Sequence, residues 1–184
     1  MKKKFELKNF HTIVFDFDGV FTDNKVLVSS NGDEYVQCDR SDSLGLNLLR
    51  KFIAKNSYKI DLLILSREKN DVVLSRAKKL KLNCINGIDD KKAFLENFLM
   101  KKNYSNANFF NGLIYLGNDL NDLSVMENAG FSVAPNDAHK LIKKVSDRVS
   151  VKNGGDGFIR DFVEFAINLH KLNKGEIYEL ISYS

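Results

Sequence analysis

Four short apolar runs punctuate the chain: Thr12-Ile13-Val14-Phe15, Ile60-Asp61-Leu62-Leu63-Ile64-Leu65, Leu113-Ile114-Tyr115-Leu116 and Phe131-Ser132-Val133. They lack the regular alternation of a strand with one wet face, so they predict strands buried on both faces. Between them the apolar spacing changes to three and four residues. Leu44, Leu48, Leu49 and Phe52 form one stripe, Val72, Val73, Ala77 and Leu80 a second, and Ala93, Phe94 and Phe98 a third. Each stripe is the mark of a helix with one face on a core. Strands and helices that alternate in this way predict an α/β fold, a Rossmann-like parallel sheet flanked by helices. In such sheets ligands collect beyond the carboxyl ends of the strands.

One segment interrupts the rhythm. Val26-Leu27-Val28 and Tyr35-Val36-Gln37 flank a polar stretch whose Asn31-Gly32 pair favours a tight turn with positive φ. A β-hairpin over about residues 24–38, protruding near the first strand, is the expected result. No internal repeat, low-complexity tract or linker occurs, so residues 1–184 are expected to form one domain, with about 172–184 as a short extra helix or a tail.

Composition narrows the function classes. A chain of 184 residues that is 43% hydrophobic can bury one full core. No stretch approaches the roughly 18 apolar residues of a membrane span, and Met1-Lys2-Lys3-Lys4 is followed by Phe5-Glu6-Leu7-Lys8, not by an apolar signal core. A soluble, cytoplasmic protein with no membrane partner is expected. Cys38 and Cys84 lie far apart without metal-ligand spacing and read as small core residues in a reducing compartment. The net charge is +4, but Lys and Arg interleave with Asp and Glu along the whole chain. That pattern argues against nucleic acid and for an anionic small molecule. His11, His139 and His170 are scattered, which disfavours a histidine metal site or histidine catalysis.

The sharpest chemical signal is Phe15-Asp16-Phe17-Asp18-Gly19-Val20-Phe21-Thr22-Asp23, directly after an apolar run. Two carboxylates this close repel unless a cation compensates, which points to a divalent metal with hard oxygen ligands, most simply magnesium. Three later strand ends add complementary groups: Ser66 after Leu65, Lys91 after Gly87-Ile88-Asp89-Asp90, and Gly117-Asn118-Asp119-Leu120-Asn121-Asp122. Singly each is weak. Together an acidic pair, a hydroxyl, a lysine and a second acidic loop are the parts needed to move a phosphoryl group through a carboxylate nucleophile.

In these four segments the chain resembles the haloacid dehalogenase superfamily of phosphatases. The resemblance implies that Asp16 attacks phosphorus and that Asp18 protonates the leaving oxygen and then activates water. It implies that Ser66 and Lys91 hold the phosphoryl oxygens, and that Mg2+ is bound by Asp16, the Asp18 carbonyl and the Asn118-Asp119 loop, with Asp122, Gly19 and Thr22 in support. Asn118 stands where many members have Asp, so its carboxamide oxygen is the expected ligand, with Asp119 a direct or water-bridged one.

The gaps between motifs hold a hairpin and single helices but no large cap domain. That is similar to the sugar-acid phosphatase branch, whose homotetramers share active sites between subunits. Cys38 to Gly45, Ile64 to Glu68 and the Asn118 variant look closest to the nonulosonate group, and residues 153–160 are similar to the glycine-rich C-terminal motif of the branch. A phosphorylated sugar acid is therefore the implied substrate, foremost ketodeoxynononate or N-acylneuraminate 9-phosphate, with 3-deoxy-manno-octulosonate 8-phosphate as the alternative. Arg40, Asp42, Glu68, Arg76 and Lys79 are the implied substrate contacts. Ser43 and Arg67 replace residues that are commonly smaller. A reading of another class is a non-catalytic oligomerisation module partnering a cytidylyltransferase, and the retention of Asp16, Asp18, Ser66 and Lys91 argues against it. A phospho-accepting receiver domain carries similar groups, but its acceptor sits at a later strand.

Overall fold

The computed structural model describes residues 5–102 and 109–182. The last two residues of the expected tail and the first four of the chain lie outside this range. Six parallel strands form one sheet in the order β5-β4-β1-β6-β7-β8. They are β1 (Thr12–Phe15), β4 (Asp61–Leu65), β5 (Asn83–Ile85), β6 (Leu113–Leu116), β7 (Phe131–Ala134) and β8 (Arg148–Val149). β1 is central: Phe15 pairs with Ile64 on one side and with Leu116 on the other. All four β1 residues are buried.

The pleat of β1 sends alternate residues to two cores. Ile13 and Phe15 join Ile64, Leu46, Val73 and Phe162 on one face, and Val14 joins Leu63, Leu95, Leu113 and Tyr115 on the other. The first face is covered by α1 (Arg40–Lys55), α2 (Asp71–Leu80), α6 (Phe158–Ala166) and α7 (Lys174–Ile181), the second by α3 (Lys91–Lys101), α4 (Leu123–Met126) and α5 (Lys140–Val145). Burying each such aliphatic or aromatic side chain stabilises the fold by about 1.5–3 kcal/mol.

The three helices with expected apolar stripes begin on side-chain caps. Asp39 accepts from the Ser41 amide, Asn70 from Val72 and Asp90 from Ala93, each satisfying an otherwise orphaned N–H. The Asp90 cap sets Lys91 as the first residue of α3. Outside the runs and stripes named above lie β5, whose three residues are none fully buried, the two-residue β8, the short helices α4 and α5, and α6, which starts at the end of the glycine-rich stretch. The C-terminal segment resolves into the helix α7, opened by a capping box of Asn173 and Glu176.

The hairpin is present but looser than expected. β2 (Leu27–Val28) and β3 (Glu34–Tyr35) pair antiparallel across five residues, and only Gly32, not Asn31, takes positive φ (+87°). Ser29 explains the wider loop, because its hydroxyl accepts from the amides of Asn31 and Asp33. Among the described residues no helix is long and apolar enough to cross a membrane, and both cysteines are free thiols.

Candidate active site

The strand ends converge. Asp16 and Asp18 follow β1, Ser66 follows β4, and Asn118 and Asp119 follow β6, and all five line one cleft of about 400 Å³. A larger cavity of about 830 Å³ lies at the amino ends of β7 and β8, between Phe131, Arg148 and Phe165. It holds none of the candidate chemistry, so the smaller cleft is the site.

Lys91 does not line the cleft but reaches it through Asp16. Its side chain is 1% exposed, and the ammonium donates to Asp16 Oδ1 at 2.7 Å and to Asp122 Oδ1 at 2.8 Å. A buried ammonium is tolerable only when paired in this way. Desolvation alone would lower its pKa, but the two carboxylates together outweigh burial and raise it. Asp122 is itself saturated. Oδ1 also accepts from the Tyr115 hydroxyl at 2.7 Å, and Oδ2 accepts from the Asn118 amide at 2.9 Å and the Asp119 amide at 3.4 Å.

Asp16 is held asymmetrically. Oδ1 takes the Phe17 amide at 2.7 Å as well as Lys91, whereas Oδ2 has no hydrogen-bond donor among the described residues, and Asp16 lines the cleft. Burial, then the Asp122 charge, pushes its carboxyl up to about 8 against the pull of Lys91 and the Phe17 amide. Two carboxylates around one ammonium leave a net negative site, and added positive charge would restore Asp16 to its anion. Asp18 is half-buried, and its pKa is raised by desolvation and then by Glu68, with Glu34 adding less. That direction favours a carboxyl able to donate a proton.

Backbone geometry brings the loops into contact. Gly19 has φ +73°, and a Cβ there would lie 1.9 Å from Asn118 Nδ2, so only glycine lets the first loop touch the second. From the far end of the chain, Gly154 packs so closely that a Cβ would stand 2.0 Å from the Gly19 carbonyl oxygen. Thr22 closes the first loop by accepting from the Gly19 and Asn24 amides, both at 3.2 Å. Ser66 is buried, and its hydroxyl accepts from the Glu68 amide at 3.0 Å, leaving its own proton to donate into the cleft.

The donor set fits a hard divalent cation. Asp16 Oδ2, the Asp18 carbonyl and the Asn118 carboxamide are oxygens without hydrogen-bond donors among the described residues, and the three residues line the same cleft. No cluster of three His, Cys, Asp or Glu side chains occurs among the described residues, as expected of a set that draws on a main-chain carbonyl and an amide. Asp119 is exposed at the cleft, where its Oδ1 caps the following turn through the Leu120 amide at 2.7 Å.

Of the five substrate contacts implied by the sequence, only Glu68 lines the cleft. Asp42 is 1% exposed and turned into the α1–α6 contact, where Oδ1 accepts from the Arg160 amide at 2.9 Å. Arg76 is spent on the Asp39 carbonyl and the Ser43 hydroxyl, both at 3.1 Å, and so ties α2 to the start of α1. Arg40 and Lys79 are exposed and do not line the cleft of their own chain. Arg67 sits at the rim, paired with Asp89 at 3.0 Å. Sequence reasoning missed Tyr115, whose signal was a lone hydroxyl in an aliphatic buried strand. It also missed Asn24, Glu34 and Asn70, which with Asp18 and Glu68 line a side groove of about 230 Å³ under the hairpin. Asn70 donates to Glu34 across that groove, joining the hairpin to the start of α2.

The family profile of haloacid dehalogenase-like hydrolases matches residues 2–161. The chain belongs to that family. Within it the chain is a phosphatase without an inserted cap domain among the described residues, since only the hairpin and α1 separate the β1 and β4 loops. It is 29% identical over 161 residues to the 3-deoxy-D-manno-octulosonate 8-phosphate phosphatase of Salmonella typhi, covering 87% of this chain and 80% of that protein. The crystal structure of a haloacid dehalogenase-family hydrolase from Streptomyces avermitilis superposes with a TM-score of 0.79 at 34% identity, over 92% of this chain and 93% of that one. The octulosonate phosphatase of Moraxella catarrhalis, crystallised with magnesium, phosphate and the free sugar acid, gives 0.77 at 29% identity and 88% of each chain.

Proposed function

We propose that this phosphatase hydrolyses the phosphate monoester of a sugar acid through an aspartyl-phosphate on Asp16. The carrying observation is the division of labour on that cleft-lining carboxylate: Oδ1 is pinned by Lys91 and the Phe17 amide while Oδ2 has no donor among the described residues. Oδ2 attacks phosphorus, the ester P–O bond breaks, and Asp18 gives its proton to the departing sugar oxygen. The Asp18 carboxylate then takes a proton from water as that water attacks the same phosphorus, which frees Asp16 and releases inorganic phosphate. Ser66 donates to the phosphoryl oxygens, and Lys91 balances their charge from below.

Asp16, the Asp18 carbonyl and Asn118, with Asp119 beside them, are the groups that would hold magnesium. When bound it supplies positive charge to the phosphoryl oxygens and to Asp16.

The 29% identity to the octulosonate phosphatases supports the eight-carbon 3-deoxy-manno-octulosonate 8-phosphate as substrate. The segments Cys38 to Gly45 and Ile64 to Glu68 support nine-carbon nonulosonate 9-phosphates. Either carries a carboxylate, and among the described residues the only basic one lining the cleft is Arg67, already paired with Asp89. A second subunit supplying cations across a shared site, within a homotetramer, meets that need. The apolar and solvent-exposed Leu27 (75%), with Val26, Val28 and Tyr35 on the hairpin, supports such an assembly. Phosphate release from a panel of both sugar-acid phosphates and p-nitrophenyl phosphate, with Asp16→Asn as control, tests the proposal. Turnover of a sugar-acid phosphate, lost in Asp16→Asn, is expected. Equal rates for the two proteins would overturn the nucleophile assignment.

A further inference from the structure

Tyr115 lies in the middle of β6, fully buried in the core beside Val14, Leu63, Leu65 and Leu95. Phenylalanine would fill that space, and a phenol buried without a partner costs stability. The hydroxyl instead reaches Asp122 Oδ1 at 2.7 Å, the same oxygen that takes Lys91 at 2.8 Å. The opposite oxygen of Asp122 holds the Asn118 and Asp119 amides. Asp122 thus joins two halves of the site, the ammonium beneath Asp16 and the loop beside the cleft, and among the described residues Tyr115 is the one donor to it that belongs to neither.

We infer that Tyr115 is a positioning residue that fixes the rotation of the Asp122 carboxylate, keeping Lys91 shared with Asp16 and the Asn118-Asp119 loop shaped for a divalent cation. The inference rests on the phosphatase reading of this cleft. Without the phenol, Oδ1 has Lys91 as its single donor. The carboxylate then turns toward the ammonium, draws it from Asp16 and loosens the two amides held by Oδ2.

Tyr115→Phe keeps the volume and removes only the hydroxyl. Phe110→Leu perturbs the same apolar cluster without touching Asp122. Magnesium binding measured by calorimetry on each folded protein, beside kcat and KM on the turned-over substrate, separates the roles. Tyr115→Phe is expected to weaken magnesium binding and lower kcat by about tenfold each, the low end for groups that orient metal ligands, with KM unchanged within about twofold. Phe110→Leu is expected to lower Tm and leave magnesium affinity as it was. In an Asp122→Asn background the Tyr115→Phe change should cost under about twofold, because both residues act through one carboxylate. Wild-type magnesium affinity and kcat in Tyr115→Phe, an equal loss in Phe110→Leu, or a full tenfold loss in the Asp122→Asn background would each overturn the inference while leaving the phosphatase reading standing. A wild-type protein that binds no magnesium would overturn both.

Discussion

Asp122 and Asp42 are both buried carboxylates, and they live in opposite circumstances. Asp122 receives four donors, one of them an ammonium. Asp42 has the Arg160 amide on Oδ1 and, among the described residues, no hydrogen-bond partner on Oδ2. Burial, only partly countered by that amide, raises the Asp42 pKa to about 6. A buried charge that is fully tied can serve as a fixed point for chemistry, whereas one tied at a single oxygen weakens the fold at neutral pH.

The comparison breaks most sharply at Lys91. Lys91→Met leaves Asp16 and Asp122 buried without their cation. It should destabilise the protein by about 3–5 kcal/mol in chemical denaturation and lower kcat by about a hundred- to a thousandfold, the scale seen on removing a transition-state electrostatic donor. Unchanged stability would mean that the ion pair does not carry the fold of the site.

Asp42 sharpens the contrast from the other side. Its folded pKa, about 6, lies above the reference value of 3.8, so the folded state holds a proton that the unfolded chain has released between those pH values. Wild-type stability therefore falls as pH rises through that window, and the loss is complete above about 6. Asp42→Asn should remove this slope and raise stability at pH 7.5 by roughly 1–3 kcal/mol, read from denaturation midpoints at pH 4.5 and 7.5. A destabilised Asp42→Asn at pH 7.5 would show that the carboxylate is better satisfied than its contacts indicate. On the hairpin, the homotetramer proposed above predicts that Leu27→Ser with Tyr35→Ser reduces the mass measured by light scattering and leaves Tm within a few degrees, because both side chains face solvent in the single chain. The smallest effect belongs to the exposed Lys92–Glu96 pair at 3.4 Å. Lys92→Ala should change stability by under about 0.5 kcal/mol.

The sheet was legible because β1, β4, β6 and β7 are buried largely on both faces and so read as apolar runs. β5 and β8 were not, since two- and three-residue edge strands carry too little pattern. The cleft residues Asp16, Asp18, Ser66 and Asn118 were legible because a strand end fixes where the next side chain goes. Asp42 and Arg76 were misplaced for the opposite reason. Which way a helical side chain faces depends on what packs against it, and although α6 carries the stripe Phe158, Ile159, Phe162, Val163 and Ala166, nothing in that stripe says that it packs on α1 and turns Asp42 inward. Tyr115 hid inside an apolar run, its hydroxyl meaningful only once Asp122 stood opposite.

Gly154 presses against the Gly19 carbonyl with no room for a methyl group. The nucleophile loop is thus braced by residues that are made long after it. A nascent chain that has not yet emerged beyond that contact carries Asp16 and Asp18 but lacks the wall behind their loop, so competence to bind and react waits until the segment around Gly154 has left the ribosome.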